Sequence, residues 1–154
     1  MRIALGADHA GFELKQKIKA HLEQQGIKVA DEGTASTESV DYPDFAKKVG
    51  EAVAHKQADL GVLVCGSGIG MAIAANKVPG IRAANVSTEY EAEKSREHND
   101  ANVVTIGSRI VDDEKAFTIV DTFLKTQFAG GRHQKRVDKI AEIERQERLA
   151  GQRR

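Results

Sequence analysis

Apolar positions along the chain follow two rhythms, short unbroken runs and spacings of three to four. Residues 3–6 (IALG) form an unbroken run that ends at Asp8-His9, as expected of a strand covered on both faces. Phe12, Leu14, Ile18 and Leu22 then recur mostly four apart, with Lys15, Lys17, Lys19 and Glu23 between them, which predicts an amphipathic helix. Gly26 ends that helix, and residues 27–30 predict a second strand. The polar stretch 31–43 predicts a loop, and Pro43 opens a helix whose buried stripe is Phe45, Val49 and Val53. Residues 59–65 (DLGVLVC) predict a third strand. It runs into the loop 66–70 (GSGIG) and a helix carrying Met71, Ile73 and Ala74.

After a turn at Pro79-Gly80, residues 81–86 predict a fourth strand. A short helix over 88–96 follows, capped by Ser87 or Thr88. Residues 102–106 predict a fifth strand, and Asp112 or Asp113 caps a helix with Ala116, Ile119, Val120, Phe123 and Leu124 inward. Gly130-Gly131 breaks it, and a last helix runs from 132 to about 149 with Val137, Ile140 and Ile143 on one stripe. Strand and helix alternate five times with connections long enough for right-handed crossovers. The expected fold is a single α/β domain: a three-layer α/β/α sandwich around a five-stranded parallel sheet, Rossmann-like, plus a C-terminal helix.

Composition narrows the class. The 154 residues carry 23 basic and 23 acidic side chains, a net charge of zero. That balance argues against a nucleic-acid or membrane surface as the main partner. One cysteine forbids an internal disulfide and suits a reducing, cytoplasmic setting. The N-terminal segment has one basic residue and no sustained apolar run, so no signal peptide is expected. No stretch reaches the ~18 apolar residues of a membrane span.

In open α/β sheets ligands gather beyond the carboxyl ends of the strands. Those ends carry Asp8-His9, Cys65 with loop 66–70, and Gly107-Ser108-Arg109; the fourth strand leads, through its helix, towards His98-Asn99-Asp100. Three glycines in five residues bring backbone amides close to a ligand, and the following helix turns its positive end there. The loop suits an anion or oxyanion, and equally a tight strand–helix turn. It lacks the GK[ST] ending of a phosphate-binding Walker loop. Cys65 directly precedes it, where the helix end stabilises a thiolate able to act as base or nucleophile. A buried small hydrophobe is the commoner fate of a lone cysteine. His9 and His98 are candidate proton handlers, whereas His21 and His55 read as surface residues and His133 is ambiguous. Arg132 and Arg136 share a helix face and, with Arg109, could clamp a phosphate, though spacing alone favours a solvated basic face. No ligand set has metal-site spacing.

Five segments in order, ALGADHAGFELK, GTASTESVDYPDFA, CGSGIGMAIAANKVPGIRAA, SREHNDANVVTIGSRI and GGRHQKRV, resemble the ribose-5-phosphate isomerase B family. Allose- and galactose-phosphate isomerases share the pattern. The likeness runs from residue 1 to about 145. It implies an aldose–ketose isomerase that interconverts ribose 5-phosphate and ribulose 5-phosphate without cofactor or metal. It also implies a homodimer, or a dimer of dimers, with the active site at a subunit interface. It makes Cys65 the base that moves a proton between C1 and C2. Part of the family uses a glutamate in the next helix, but residues 71–75 (MAIAA) hold no acid. His98 is implied in ring opening, with Asp8 assisting. His9, Arg132, Arg136 and Arg109 are implied at the phosphate, Asn99 and the amides of Gly66, Gly68, Ile69 and Gly70 at the enediolate oxygens, and Ser67 in transfer between those oxygens. Tyr42 is implied in the sugar pocket.

Three rival expectations remain. A six-carbon substrate, allose 6-phosphate or galactose 6-phosphate, needs only a longer pocket. A non-catalytic sugar-phosphate sensor on the same fold would bind without turnover. A cysteine hydrolase has no supporting motif.

Overall fold

The computed structural model describes residues 1–153. Its eleven elements, in chain order, begin with β1 (Arg2–Ala7), α1 (Phe12–Gln24), β2 (Lys28–Gly33), α2 (Tyr42–Ala54) and β3 (Leu60–Cys65). They continue with α3 (Ile69–Ala75), β4 (Ala83–Asn85), α4 (Glu89–Glu97), β5 (Val103–Gly107), α5 (Asp113–Lys125) and α6 (Arg132–Gln152). The five strands form one parallel sheet in the order β2-β1-β3-β5-β4. Helices cover both faces, which makes the three-layer arrangement expected from the alternation of strand and helix.

Strand periodicity sorts the core. Ile3, Leu5 and Ala7 of β1, Val62 and Val64 of β3, and Val104 and Ile106 of β5 face α1, α4 and α5. Ala4, Leu63, Cys65 and Val103 face α2 and α3. That second face is built of small side chains. A Cβ at Gly61 would lie 2.7 Å from a Val49 methyl, and one at Gly6 would lie 2.9 Å from the other. Glycine there lets α2 sit directly on the sheet. All six residues of β3 are buried, which is why its sequence reads as the most continuous apolar run.

Three local expectations change. Strand β2 continues through Asp31, Glu32 and Gly33, where polarity predicts loop. It is an edge strand, so its polar side chains reach solvent, and the carboxylate of Asp31 meets the buried ammonium of Lys15 at 2.7 Å. Strand β4 is only three residues long, because the Asn102 side chain takes the Arg82 N–H and turns the chain before the ladder begins. Ile73 lies 59% exposed rather than in the core, since α3 is short and buries only Met71 and Ala75. The two uncertain caps resolve to Thr88, which accepts from Glu91 N–H, and Asp112, which accepts from Lys115 N–H. His21 is not simply on the surface: its Nε2 lies 2.9 Å from the Asp121 carboxylate and its ring stacks on Phe117, tying α1 to α5.

Candidate active site

The carboxyl end of β3 opens into a cavity of about 600 Å³ lined by Asp8, His9, Ala10, Tyr42, Cys65, Gly66, Ser67, Ile69, Gly70, Ile73, Arg109 and Ile110. Each enters for a structural reason. Cys65 is the last residue of β3 and is 5% exposed. Its Sγ accepts the Gly68 N–H at 3.1 Å, just ahead of the first turn of α3. Ser67 Oγ accepts the Ile69 N–H at 3.2 Å. The amides of Ser67 and Gly70 have no intrachain partner among the described residues. They are therefore free to hold a ligand oxygen.

Glycine is required at two points of the loop. Gly68 has φ +82°, a left-handed conformation, and the Asn85 amide oxygen stands where a side chain would begin. A Cβ on Gly70 would come within 2.5 Å of the Tyr42 ring, so Tyr42 closes over the loop only because that side chain is absent. Arg109 is fixed by a backbone bond from its N–H to the Gly66 carbonyl, and its guanidinium passes beside Gly66. It pairs with no acid among the described residues, which leaves a free cation lining the same cavity as the thiol. Asp8 is buried and its Oδ1 accepts the Gly11 N–H at 3.0 Å. His9 accepts the Val40 N–H at Nδ1, so a neutral ring carries its proton on Nε2.

The remaining expected residues are elsewhere in the chain. The sequence pattern leads from the fourth strand to His98 and Asn99 as though they shared this end. In a parallel sheet, however, the helix after each strand runs back, so α4 delivers its C-terminus to the amino end of β5. His98 is the C-cap of α4, and Asn102, just beyond it, bonds through its carbonyl to Gly61 at the start of β3. The sheet's length, roughly 16 Å for five steps of strand, separates this loop from Cys65.

Arg132 and Arg136 belong to that second cluster. The segment before α6 is held by a bond from the Ala129 N–H to the Glu97 carbonyl. The ring of His133 stacks on that of His98 with centroids 4.3 Å apart and planes 11° from parallel. Burial, together with the charges of His98, Arg132 and Arg136, holds the His133 imidazole below its ordinary value of 6.5, against an opposing pull from Glu97. Arg132 and Arg136 themselves are exposed and pair with no acid among the described residues. Asn99 lines a different, largely apolar cleft of about 640 Å³ against Ile140 and Ile143 of α6.

Sequence reasoning assigns no site role to Ala10, Ile73 and Ile110. Ile73 shows only as an apolar position of a helix, and no spacing marks Ala10 or Ile110. Ile69, Ile73 and Ile110 are 55%, 59% and 61% exposed around the mouth of the cavity. Such an apolar rim is costly to leave in water.

Residues 3–140 match the family model described as Ribose/Galactose Isomerase. The chain is 52% identical to ribose-5-phosphate isomerase B of Escherichia coli K12 over 143 residues, which cover 93% of this chain and 96% of that one. It superposes with a TM-score of 0.94 and 53% identity on ribose-5-phosphate isomerase B of Clostridium thermocellum, covering 95% of this chain and 99% of the other. It also superposes, with a TM-score of 0.89 and 44% identity, on the Mycoplasma genitalium ribose-5-phosphate isomerase B with bound ribulose-5-phosphate, covering 94% and 96%.

Proposed function

Since the chain is an isomerase belonging to the ribose/galactose isomerase family, we propose that it interconverts ribose 5-phosphate and ribulose 5-phosphate through an enediolate, with Cys65 as base. The observation that carries the reading is a thiol capped by the Gly68 N–H, opening on a cavity with a free arginine and two unpartnered amides. Such a site can hold a thiolate and an oxyanion side by side.

The enediolate route gives each of these groups one task. His98 moves the proton that opens the furanose ring, giving the open-chain aldehyde, with Asp8 assisting. The Cys65 thiolate takes the proton from C2, and the electron pair passes to the C1 carbonyl oxygen. The enediolate oxygens lie against the loop amides and Asn99. Ser67, whose Oγ already accepts from Ile69, keeps its own proton for transfer between O1 and O2. Cys65 returns its proton to C1 and the ketose results. His9, Arg109, Arg132 and Arg136 hold the phosphate, and that binding energy positions the reacting carbons.

No single copy brings all these groups together, because His98, Asn99, Arg132 and Arg136 lie at the amino end of the sheet. The reading therefore includes a homodimer in which the amino-end cluster of one copy completes the thiol cavity of another. The exposed isoleucines at the cavity mouth and the exposed Ile140 and Ile143 of α6 are the surfaces such an assembly would bury. No helix among the described residues is long and apolar enough to cross a membrane, and with a lone free thiol the reading places the enzyme in the cytoplasm.

The test is conversion of ribose 5-phosphate to ribulose 5-phosphate by the purified protein with a chelator present, beside a panel of six-carbon phosphates. Turnover with the pentose is expected. Turnover only with allose 6-phosphate or galactose 6-phosphate would overturn the substrate, and binding without turnover would overturn the reaction.

A further inference from the structure

Thr105 is a fully buried polar residue in the middle of β5, among Val103, Val104 and Ile106, and it touches nothing in the cavity. Its Oγ1 donates to the Gly68 carbonyl at 2.8 Å and lies 3.2 Å from the Asn85 amide oxygen. The hydroxyl has one proton, and the shorter contact takes it. Gly68 is also the residue whose N–H caps Cys65 Sγ. One residue thus carries both bonds. Its left-handed φ leaves it without a side chain of its own to pin it. We infer that Thr105 is a positioning residue that, by holding the Gly68 carbonyl, keeps the Gly68 N–H aimed at the Cys65 sulfur, where it stabilises negative charge when the thiol gives up its proton.

The inference deepens the reading of Cys65 as base, but its test does not need that reading. Cys65 is the only cysteine in the chain, so alkylation by iodoacetamide reports on it alone. The rate is measured at pH 7 and at pH 10, above the free-thiol value of ~8.5. In Thr105→Val the pH 7 rate is expected to fall about fivefold, the effect of loosening a charge-assisted hydrogen bond, with the pH 10 rate unchanged. Thr105→Ser, which keeps the hydroxyl, is expected to restore the wild-type ratio.

The valine variant leaves the Gly68 carbonyl its second partner, the Ala72 N–H. If it does not fold, Thr105→Ala, which opens space rather than crowding the strand, gives the same readout. A pH 7 rate equal to wild type would overturn the inference. So would an equal fall at both pH values, which marks a change of access. A selective fall at pH 7 with kcat unchanged would uphold the role of Thr105 and instead remove Cys65 as base.

Discussion

The two ends of the sheet carry different sets of reactive side chains. At the carboxyl end, a thiol, a glycine loop and one arginine line a cavity rimmed with exposed isoleucines. At the amino end, two stacked histidines, one of them buried, and two exposed arginines gather beside Gly130-Gly131, with no thiol. The first is built from strand ends and backbone amides, positions the sheet fixes rigidly. The second is built from a helix C-terminus, a connecting segment and the start of α6. In the proposed reaction the first end gives the base with Arg109 and His9, and the second gives His98, Asn99, Arg132 and Arg136. A base with half of its phosphate clamp aligns the substrate poorly, and the second end alone has no base to move a carbon-bound proton. The difference teaches that parallel topology, which sends alternate loops to opposite ends, makes the proposed reaction depend on a second copy.

The sharpest way to break this comparison is a mixing experiment. Cys65→Ala disables the carboxyl end, and His98→Asn disables the amino end. Each variant alone is expected to lose at least about a hundredfold in kcat, the usual cost of an acid–base group. If the proposed dimer shares its sites, co-refolding the two variants in equal amounts rebuilds one intact site in each mixed dimer. Random pairing then gives about a quarter of wild-type activity. Mixtures as inactive as their components would mean that the ends never meet across copies. The same samples in light scattering give the mass of the assembly.

A smaller effect separates the roles of the ends. Arg132→Ala and Arg136→Ala, each on an exposed face without an acidic partner, are expected to raise the apparent KM about tenfold with little change in Tm. Removing a phosphate contact weakens binding of the ground state and transition state alike. Measurement of kcat and KM for both variants checks it. An unchanged KM in both would take the arginines out of the phosphate site and leave Arg109 and His9 to hold it.

Much of this was legible in the sequence, for reasons the structure makes explicit. Strand β3 reads clearly because both its faces are covered. Helices α1, α2 and α5 read clearly because each buries one stripe. The thiol loop is legible because glycines, a cysteine and a strand end fall within six residues. The edge strands were blurred: β2 spends its polar residues on solvent and on Lys15, and β4 is cut short by Asn102. The separation of His98 from Cys65 was not visible either. Their proximity was read from the order of motifs, whereas the direction of α4 decides which end of the sheet His98 occupies.

The smallest expected effect also distinguishes the ends, through pH. His133 is buried against His98, with Arg132 and Arg136 adding positive charge and Glu97 opposing them. Its imidazole therefore binds a proton less readily when folded than when unfolded. A group depressed in this way contributes stability that is complete above its ordinary value of 6.5 and is lost as pH falls through the lower folded value. Lowering pH from 7 to 5 is then expected to loosen the start of α6 while the thiol loop stays in place. His133→Phe keeps a ring to stack on His98 and has nothing to titrate. The fall in Tm between pH 7 and pH 5 should be slightly smaller in that variant than in wild type, and an identical fall in both would mean that the stack stores no protonation penalty. Limited proteolysis locates the effect: at pH 5 wild type should be cut near 126–131 sooner than the variant, with residues 66–70 protected equally in both.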